Sequence, residues 1–253
     1  SQNKEDPVES KPIGRIDYLH TDGRVRESIE YTSPYQFEKD IKEENTFSTD
    51  IPLQQIYFGA PGTGKSHDIE RVIGNRKSFR VTFHPDTDYS SFVGAYKPTQ
   101  IEVPVRDYNG QIVSDAYEKK IVYQFSPQIF ANAYCEAWNE YLKPTDVKAK
   151  VCLLIEELNR GNCAQIFGDL FQLLDRDKVT GKSEYAIKAD KDLVAHIEKV
   201  LGPGHEGIKN GELCLPPNLI IYATMNTSDQ SLFPMDSAFK RRWDWEYVPI
   251  NYN

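Results

Sequence analysis

The chain has 253 residues, a formal net charge of −8 at pH 7 and a sequence pI near 5.2. Its 39% apolar content supports a packed core, and no run reaches the roughly 18 apolar residues of a membrane span, so no membrane association is expected. A protein that grips nucleic acid with its whole surface is normally basic; any contact with DNA therefore has to come from a local patch, from another domain or through a partner.

The four cysteines, Cys135, Cys152, Cys163 and Cys214, form no C-x-x-C pair, which argues against zinc. Cys152 sits inside an apolar run and reads as core, and a reducing, cytoplasmic setting is expected. Residues 1–12 are polar and acidic, unlike a secretory signal. Gly14–Thr32 alternates around Asp22-Gly23, the pattern of a β-hairpin. "SPYQFEKDIKEEN" follows as a short helix capped by Ser33. Residues 1–46 thus read as a small hairpin-and-helix appendage, and residues 47–253 as the main domain.

In the main domain Leu53–Phe58 predicts a strand, and a helix follows from Gly64 to about Ile73, closed by Gly74. Ser78–Phe83 is a second strand. Val103–Ser114 carries an Asn109-Gly110 hairpin turn. Ser126–Lys143 has apolar residues at helical spacing and a capping serine. Lys150–Glu157 is a buried strand running into paired acids, and Asn162–Asp175 is a helix. Asp177–Glu212 is a long polar insertion, read as a solvated segment or as a contact for DNA or a partner. Asn218–Asn226 is another buried strand, and Phe233–Trp243 is a last helix begun by Pro234. Nearly all-apolar strands alternating with helices predict an α/β fold with a doubly wound parallel sheet covered on both faces.

Three motifs carry chemistry. Gly59-Ala60-Pro61-Gly62-Thr63-Gly64-Lys65-Ser66 fits the P-loop pattern and lies between a strand and a helix. Glycines let backbone N–H groups close on phosphate oxygens, and the helix N-terminus adds its positive end. Lys65 is expected on the β- and γ-phosphates and the Ser66 hydroxyl on Mg²⁺. "LLIEELNR" ends a strand in Glu156 and Glu157, where ligands of open α/β sheets bind: Glu156 to orient Mg²⁺, Glu157 to orient or deprotonate the attacking water. "TMNTSD" ends a strand in Asn226, an amide suited to the γ-phosphate or the water. Paired acids at a strand end, or an asparagine after one, are commonplace alone; the combination is what reads as a nucleotide-hydrolysis site. The aromatics Tyr89, Phe92 and Tyr96 can stack on bases, but packing beneath a loop is the favoured reading. His84 has no second ligand at metal spacing.

"GAPGTGKS", "VTFHPDTDYSSFVGAYKP", "LLIEELNRGN" and "MNTSDQSLFPMDSAFKRRW" together resemble the AAA+ motor domains of the McrB-like family, the GTP-hydrolysing subunits of McrBC-type modified-cytosine restriction systems. The resemblance covers about Phe47 to Asn253. It implies a P-loop AAA+ core with Gly59–Ser66 as Walker A, Glu156 and Glu157 as Walker B, and Asn226 as sensor 1. It places Thr227 and Asp229 in a signature loop at a subunit interface. It makes Arg160, Arg241 and Arg242 candidates for an arginine acting on a neighbour's γ-phosphate.

Two departures stand out. Glu156 occupies a position where aspartate is usual, and Gln230 follows Asp229 where arginine is common, which shifts the trans role towards Arg241 and Arg242. The helical lid of the family should begin where the chain stops at "VPINYN", so a lidless fragment, monomeric and nearly inactive alone, is expected. With the lid the resemblance implies a homo-hexamer with a nuclease subunit, Mg²⁺, and GTP or ATP as substrate, DNA being met indirectly or through further domains. The alternatives are a MoxR-like chaperone ATPase and a nucleotide-binding scaffold with little turnover.

Overall fold

The computed structural model describes residues 14–19, 25–31, 51–145, 148–227 and 233–250. The helix expected after Ser33, as well as Asp229 and Gln230, lies outside the described residues. The first two strands, β1 (Gly14–Leu19) and β2 (Val25–Tyr31), pair antiparallel with Ile16 opposite Ile29.

The main unit begins with β3 (Gln54–Gly59), α1 (Lys65–Ile73) and β4 (Lys77–Thr82). One turn of helix, α2 (Tyr89–Phe92), leads into a ribbon of β5 (Gly94–Arg106) and β6 (Ile112–Pro127). Then come α3 (Ile129–Tyr141), β7 (Val151–Glu156) and α4 (Cys163–Phe167). The short β8 (Ile187–Lys188) and β9 (Glu212–Leu213) flank α5 (Lys191–Leu201). The unit closes with β10 (Leu219–Asn226), α6 (Ser237–Lys240) and β11 (Asp244–Tyr247).

Five strands form one sheet in the order β11-β3-β10-β7-β4, every neighbouring pair parallel. The chain leaves β3 for the far edge and works back, so order reverses at β3, the switch point where open α/β sheets bind ligands. Residues of β7 alternate between two packed faces. Leu153 and Ile155 join Ile56, Ile221 and the α3 residues Phe130, Tyr134 and Trp138. Cys152 and Leu154 join Tyr57, Tyr222 and the α1 residues Ile69 and Ile73. Burial on both faces is why the central strands β7 and β10 are nearly continuous apolar runs, whereas the edge strands β4 and β11 are polar and largely exposed. Each such side chain contributes about 1.5–3 kcal/mol. Burial also pushes the thiols of Cys135 and Cys163 up to about 12 and that of Cys152 to about 11, which keeps them protonated.

The structure departs from the sequence pattern in five places, each for a local reason. Ser126 does not cap α3; it belongs to β6, paired with Ala95, and Gln128 stands at the helix N-terminus with its backbone N–H on the Val93 carbonyl (2.9 Å). The helix expected over Asn162–Asp175 breaks at Gly168, whose φ of 50° admits glycine and few others, and continues as a 3₁₀ helix over Gly168–Leu174. The last helix starts at Ser237 rather than Pro234, because the Asp236 carboxylate accepts the Phe239 N–H at 2.6 Å and makes the stronger cap. Asn109-Gly110 does lie in the turn of a hairpin, but the ribbon is far longer than the pattern suggests, since most of its residues are exposed, Tyr117, Ile121 and Tyr123 among them, and no buried face marks the strands. The pattern gives no sign of β11, a short strand exposed along its length.

Phe92 is fully buried and ringed by Phe83, Phe130 and Phe167, so it is not available for base stacking. Tyr89 is half-buried; Tyr96 alone of the three is exposed.

The polar segment Asp177–Glu212 is not simply solvated. Asp190 caps α5 through the Leu193 N–H (2.8 Å) and Asp192 N–H (3.0 Å), and Leu193 and Ile197, one turn apart, are buried together with Ile208. Tyr134 donates to the Gly207 carbonyl and Trp138 Nε1 to the Cys214 carbonyl (2.9 Å), which ties the segment to α3. A Cβ on Gly207 would sit 2.7 Å from the Trp138 ring, so only glycine passes there. Leu193 and Ile197 dock α5, with Val194 and Leu201 packed beside them, and the polar residues around the helix mask this face in the composition of the whole segment.

Leu193→Ala is expected to lower the unfolding free energy by about 2–4 kcal/mol in a urea titration. A solvated insertion would give a change within about 0.5 kcal/mol.

Candidate active site

The site is assembled at the carboxyl ends of β3, β7 and β10. Register sets Asn226 beside Gly59 and Ala223 beside Ile155, so the phosphate loop, the acids and the amide leave the sheet side by side. Gly64 holds φ 88° as it hands over to α1, a left-handed turn that a side chain resists. At Gly59 a Cβ would meet the Val248 carbonyl at 2.4 Å, so the loop base has to be glycine where the chain after β11 crosses it. Thr63 Oγ1 donates to the Ala60 carbonyl at 3.0 Å and steadies the loop. Lys65 is buried, and its Nζ donates to the carbonyls of Ala60 (2.7 Å) and Gly59 (3.3 Å). The ammonium is therefore stored inside the loop its phosphate partner would enter.

Glu156 is the hub. Its Oε2 accepts from Ser66 Oγ at 3.0 Å and from Thr224 Oγ1 at 2.5 Å, while Oε1 accepts from Arg80 Nη1 at 3.1 Å. Glu157 takes a left-handed backbone conformation (φ 57°, ψ 44°), strained for a non-glycine residue. Its N–H reaches Thr224 Oγ1 (3.1 Å), and Asn226 Nδ2 donates to both its carboxylate oxygens at 2.8 Å. The Asn159 amide donates to the Asn226 carbonyl (2.8 Å) and fixes the far side. The strain thus points the second acid out of the strand line, and the amide aims it.

Residues expected at the site are Gly59–Ser66, Glu156, Glu157 and Asn226, and the fold brings all of them together. Thr224 and Asn159 lie inside the motif segments without an expected role, and Arg80 lies outside them; all three make contacts that sequence reasoning missed. The only signal for Thr224 is a hydroxyl in an otherwise apolar strand, two residues before Asn226. Arg160 Nε lies 3.3 Å from Glu157 Oε2 of the same chain, so it is engaged in cis. Arg241 is exposed at the end of α6. Arg242 departs from its expected role. It is inward-facing, with Nη2 on Asp175 Oδ2 (2.6 Å), Nη1 on the Ala238 carbonyl (2.7 Å) and its guanidinium over the Phe171 ring. Its own carbonyl accepts Gln54 Nε2 (2.6 Å), so it is a structural pin. Thr227 is exposed, and its N–H donates to the Gly59 carbonyl (3.2 Å).

The donor set suits Mg²⁺. Ser66 and Glu156 offer hard oxygens, and among the described residues no cluster of three acidic, cysteine or histidine side chains forms a cage that would hold a metal unaided. Mg²⁺ is ordinarily bound by one or two carboxylates with phosphate oxygens and water. A pocket of about 620 Å³ opens beside the loop, lined by Tyr57, Thr63, Gly64, His67, Asp68 and Glu246 among others. Burial, then the charges of Glu246 and Asp68, hold the Tyr57 phenol above its usual range, so it stays a neutral donor.

A glycine loop between strand and helix, a lysine and a hydroxyl at the helix start, and acids and an amide on the adjacent strand ends define a P-loop nucleoside triphosphatase. The chain belongs to the AAA domain family (dynein-related subfamily), whose model matches residues 56–243. Among curated proteins it is 40% identical over 213 residues to the type II restriction enzyme BsuMI component YdiS of Bacillus subtilis, covering 79% of this chain and 58% of that one. It is 24% identical over 212 residues to the type IV methyl-directed restriction enzyme EcoKMcrB subunit of Escherichia coli, covering 81% and 36%. The chain therefore spans about half the length of these relatives or less, and both are in keeping with the McrB-like resemblance. A solved structure from Cytophaga hutchinsonii overlays with a TM-score of 0.40 at 14% identity, covering 86% of this chain and 46% of that one, too loose a likeness to build on. Among the described residues, no helix is long and apolar enough to cross a membrane.

Arg242→Ala is expected to lower the unfolding free energy by about 2–3 kcal/mol, since it strands the Asp175 carboxylate and the Ala238 carbonyl and removes the packing on Phe171. Arg241→Ala should change it by less than about 0.5 kcal/mol. Equal effects in denaturant titrations would overturn this division between the two arginines.

Proposed function

We propose that this chain is the Mg²⁺-dependent nucleotide-hydrolysing motor of a McrB-like restriction system, working in a ring with a nuclease partner. The observation that carries the reading is the single hydrogen-bonded cluster joining Ser66, Glu156, Thr224, Glu157 and Asn226 beside the phosphate loop. Both relatives are named as components of restriction enzymes, which supports the cellular role.

In this reading the loop N–H groups and Lys65 grip the β- and γ-phosphates, Lys65 exchanging its loop carbonyls for them. Ser66 and Glu156 hold Mg²⁺, which supplies charge neutralisation across the phosphates. Glu157, aimed by Asn226, orients and deprotonates water. The pocket lined by Tyr57, His67 and Asp68 receives base and sugar, GTP or ATP. Arg241, the exposed one of the pair, reaches a neighbour's γ-phosphate. Catalysis by such a site is mostly positioning and electrostatics.

Lys65→Ala should abolish binding of a non-hydrolysable analogue, whereas Glu157→Gln should keep binding within about threefold and lose turnover by at least about a hundredfold. Wild-type affinity in Lys65→Ala, or undiminished turnover in Glu157→Gln, contradicts the site. In assembled rings, Arg241→Ala mixed with Glu157→Gln should regain activity that neither has alone; no recovery in rings shown to be mixed places Arg241 outside a trans role.

A further inference from the structure

Arg80 lies within the edge strand β4, whose run Lys77–Thr82 is largely exposed. It sits opposite Leu154, and two residues on, Thr82 sits opposite Glu156. Its guanidinium bridges two acids: Nη1 to Glu156 Oε1 at 3.1 Å and Nη2 to Glu70 Oε1 at 2.8 Å. Glu70 is on α1, one helical turn after Ser66, so both face the same way. Ser66, Glu156, Arg80 and Glu70 therefore close a ring of side chains anchored twice on one helix.

The two oxygens of Glu156 have separate duties. Oε2 is shared by two neutral hydroxyls, Ser66 and Thr224. Oε1 meets a full positive charge. A site built to take a polyanion has one obvious electrostatic fault, a carboxylate on its floor that repels the phosphates until a cation arrives. Arg80 supplies that cation from within the chain.

We propose that Arg80 is the resident counter-cation of Glu156, a positioning residue that neutralises this acid while no metal is bound, so that the nucleotide is captured without Mg²⁺ and only hydrolysis requires it. The inference rests on the nucleotide-hydrolysis reading above. Once Mg²⁺ is present it balances the same carboxylate, and Arg80 becomes redundant for binding. The Glu70 contact keeps the guanidinium from being lost to solvent. Arg80 is 41% exposed, so screening keeps the effect modest.

The test measures binding of non-hydrolysable GTP and ATP analogues by calorimetry, in EDTA and in Mg²⁺. Arg80→Ala should weaken binding in EDTA by about three- to tenfold, with the loss shrinking as salt rises. With Mg²⁺ the loss should stay under about twofold, because the metal does the balancing. Arg80→Lys should recover most of the EDTA affinity. Arg80→Ala combined with Glu156→Gln should also recover it, since the carboxylate on the floor of the site is gone and the freed Glu70, 57% exposed, is left to solvent; this pair keeps the test open if Arg80→Ala alone folds poorly. Equal losses in EDTA and Mg²⁺, or no recovery in the double variant, overturn the proposal. So does a wild-type chain that binds only with Mg²⁺, an outcome that leaves the nucleotide reading standing. Wild-type protein that binds neither analogue under either condition removes the nucleotide reading and this proposal together.

Discussion

One carboxylate organises the site. Glu156 Oε2 receives a hydroxyl from the helix that follows the phosphate loop and another from β10, while its backbone belongs to β7. Three elements distant in sequence are thereby fixed to one another within hydrogen-bond tolerance. A glutamate has one more rotatable bond than an aspartate. The ring of partners around it, Ser66, Thr224 and Arg80, removes the freedom that the longer arm brings, and charge-assisted contacts are strong enough to hold it.

That hub works only because the sheet beneath it is rigid. Parallel strands packed on both faces cannot slip without moving whole layers of buried side chains. Gln54, itself buried, ties the start of β3 to the Leu174 and Arg242 carbonyls and so joins the sheet to two helical segments. Arg242 extends the same function by gripping Asp175. Stability is concentrated below the strand ends, and the strained Glu157 backbone is placed on top of it, where rigid support sustains a conformation that would relax elsewhere.

Much of this was legible in the sequence because its signals are local. The glycine spacing, the lysine–serine pair and the acids closing an apolar run each lie within a few residues, and the alternation of apolar strands with helices gave the sheet. What stayed hidden depends on partners far along the chain. Thr224 looks like any β-branched strand residue until Glu156, 68 positions away, is placed beside it. Arg241 and Arg242 are indistinguishable as letters, and only the position of Asp175 turns one inward. The docking of α5 rests on Leu193, Val194, Ile197 and Leu201, an apolar face that the polar composition of Asp177–Glu212 as a whole conceals. The break at Gly168 is a backbone event that helical periodicity passes over.

In the proposed reading the hydroxyl-bound Glu156 hub sets the geometry for hydrolysis, and Thr224 is the contact through which it can be probed. Thr224→Val keeps the branched shape and removes the hydroxyl shared by Glu156 and the Glu157 N–H. Measured as Mg²⁺-dependent turnover of GTP and ATP, the variant should lose at least about tenfold while its nucleotide affinity changes by less than about threefold. Turnover equal to wild type in a folded Thr224→Val protein would show that the Glu156 hub does not set that geometry.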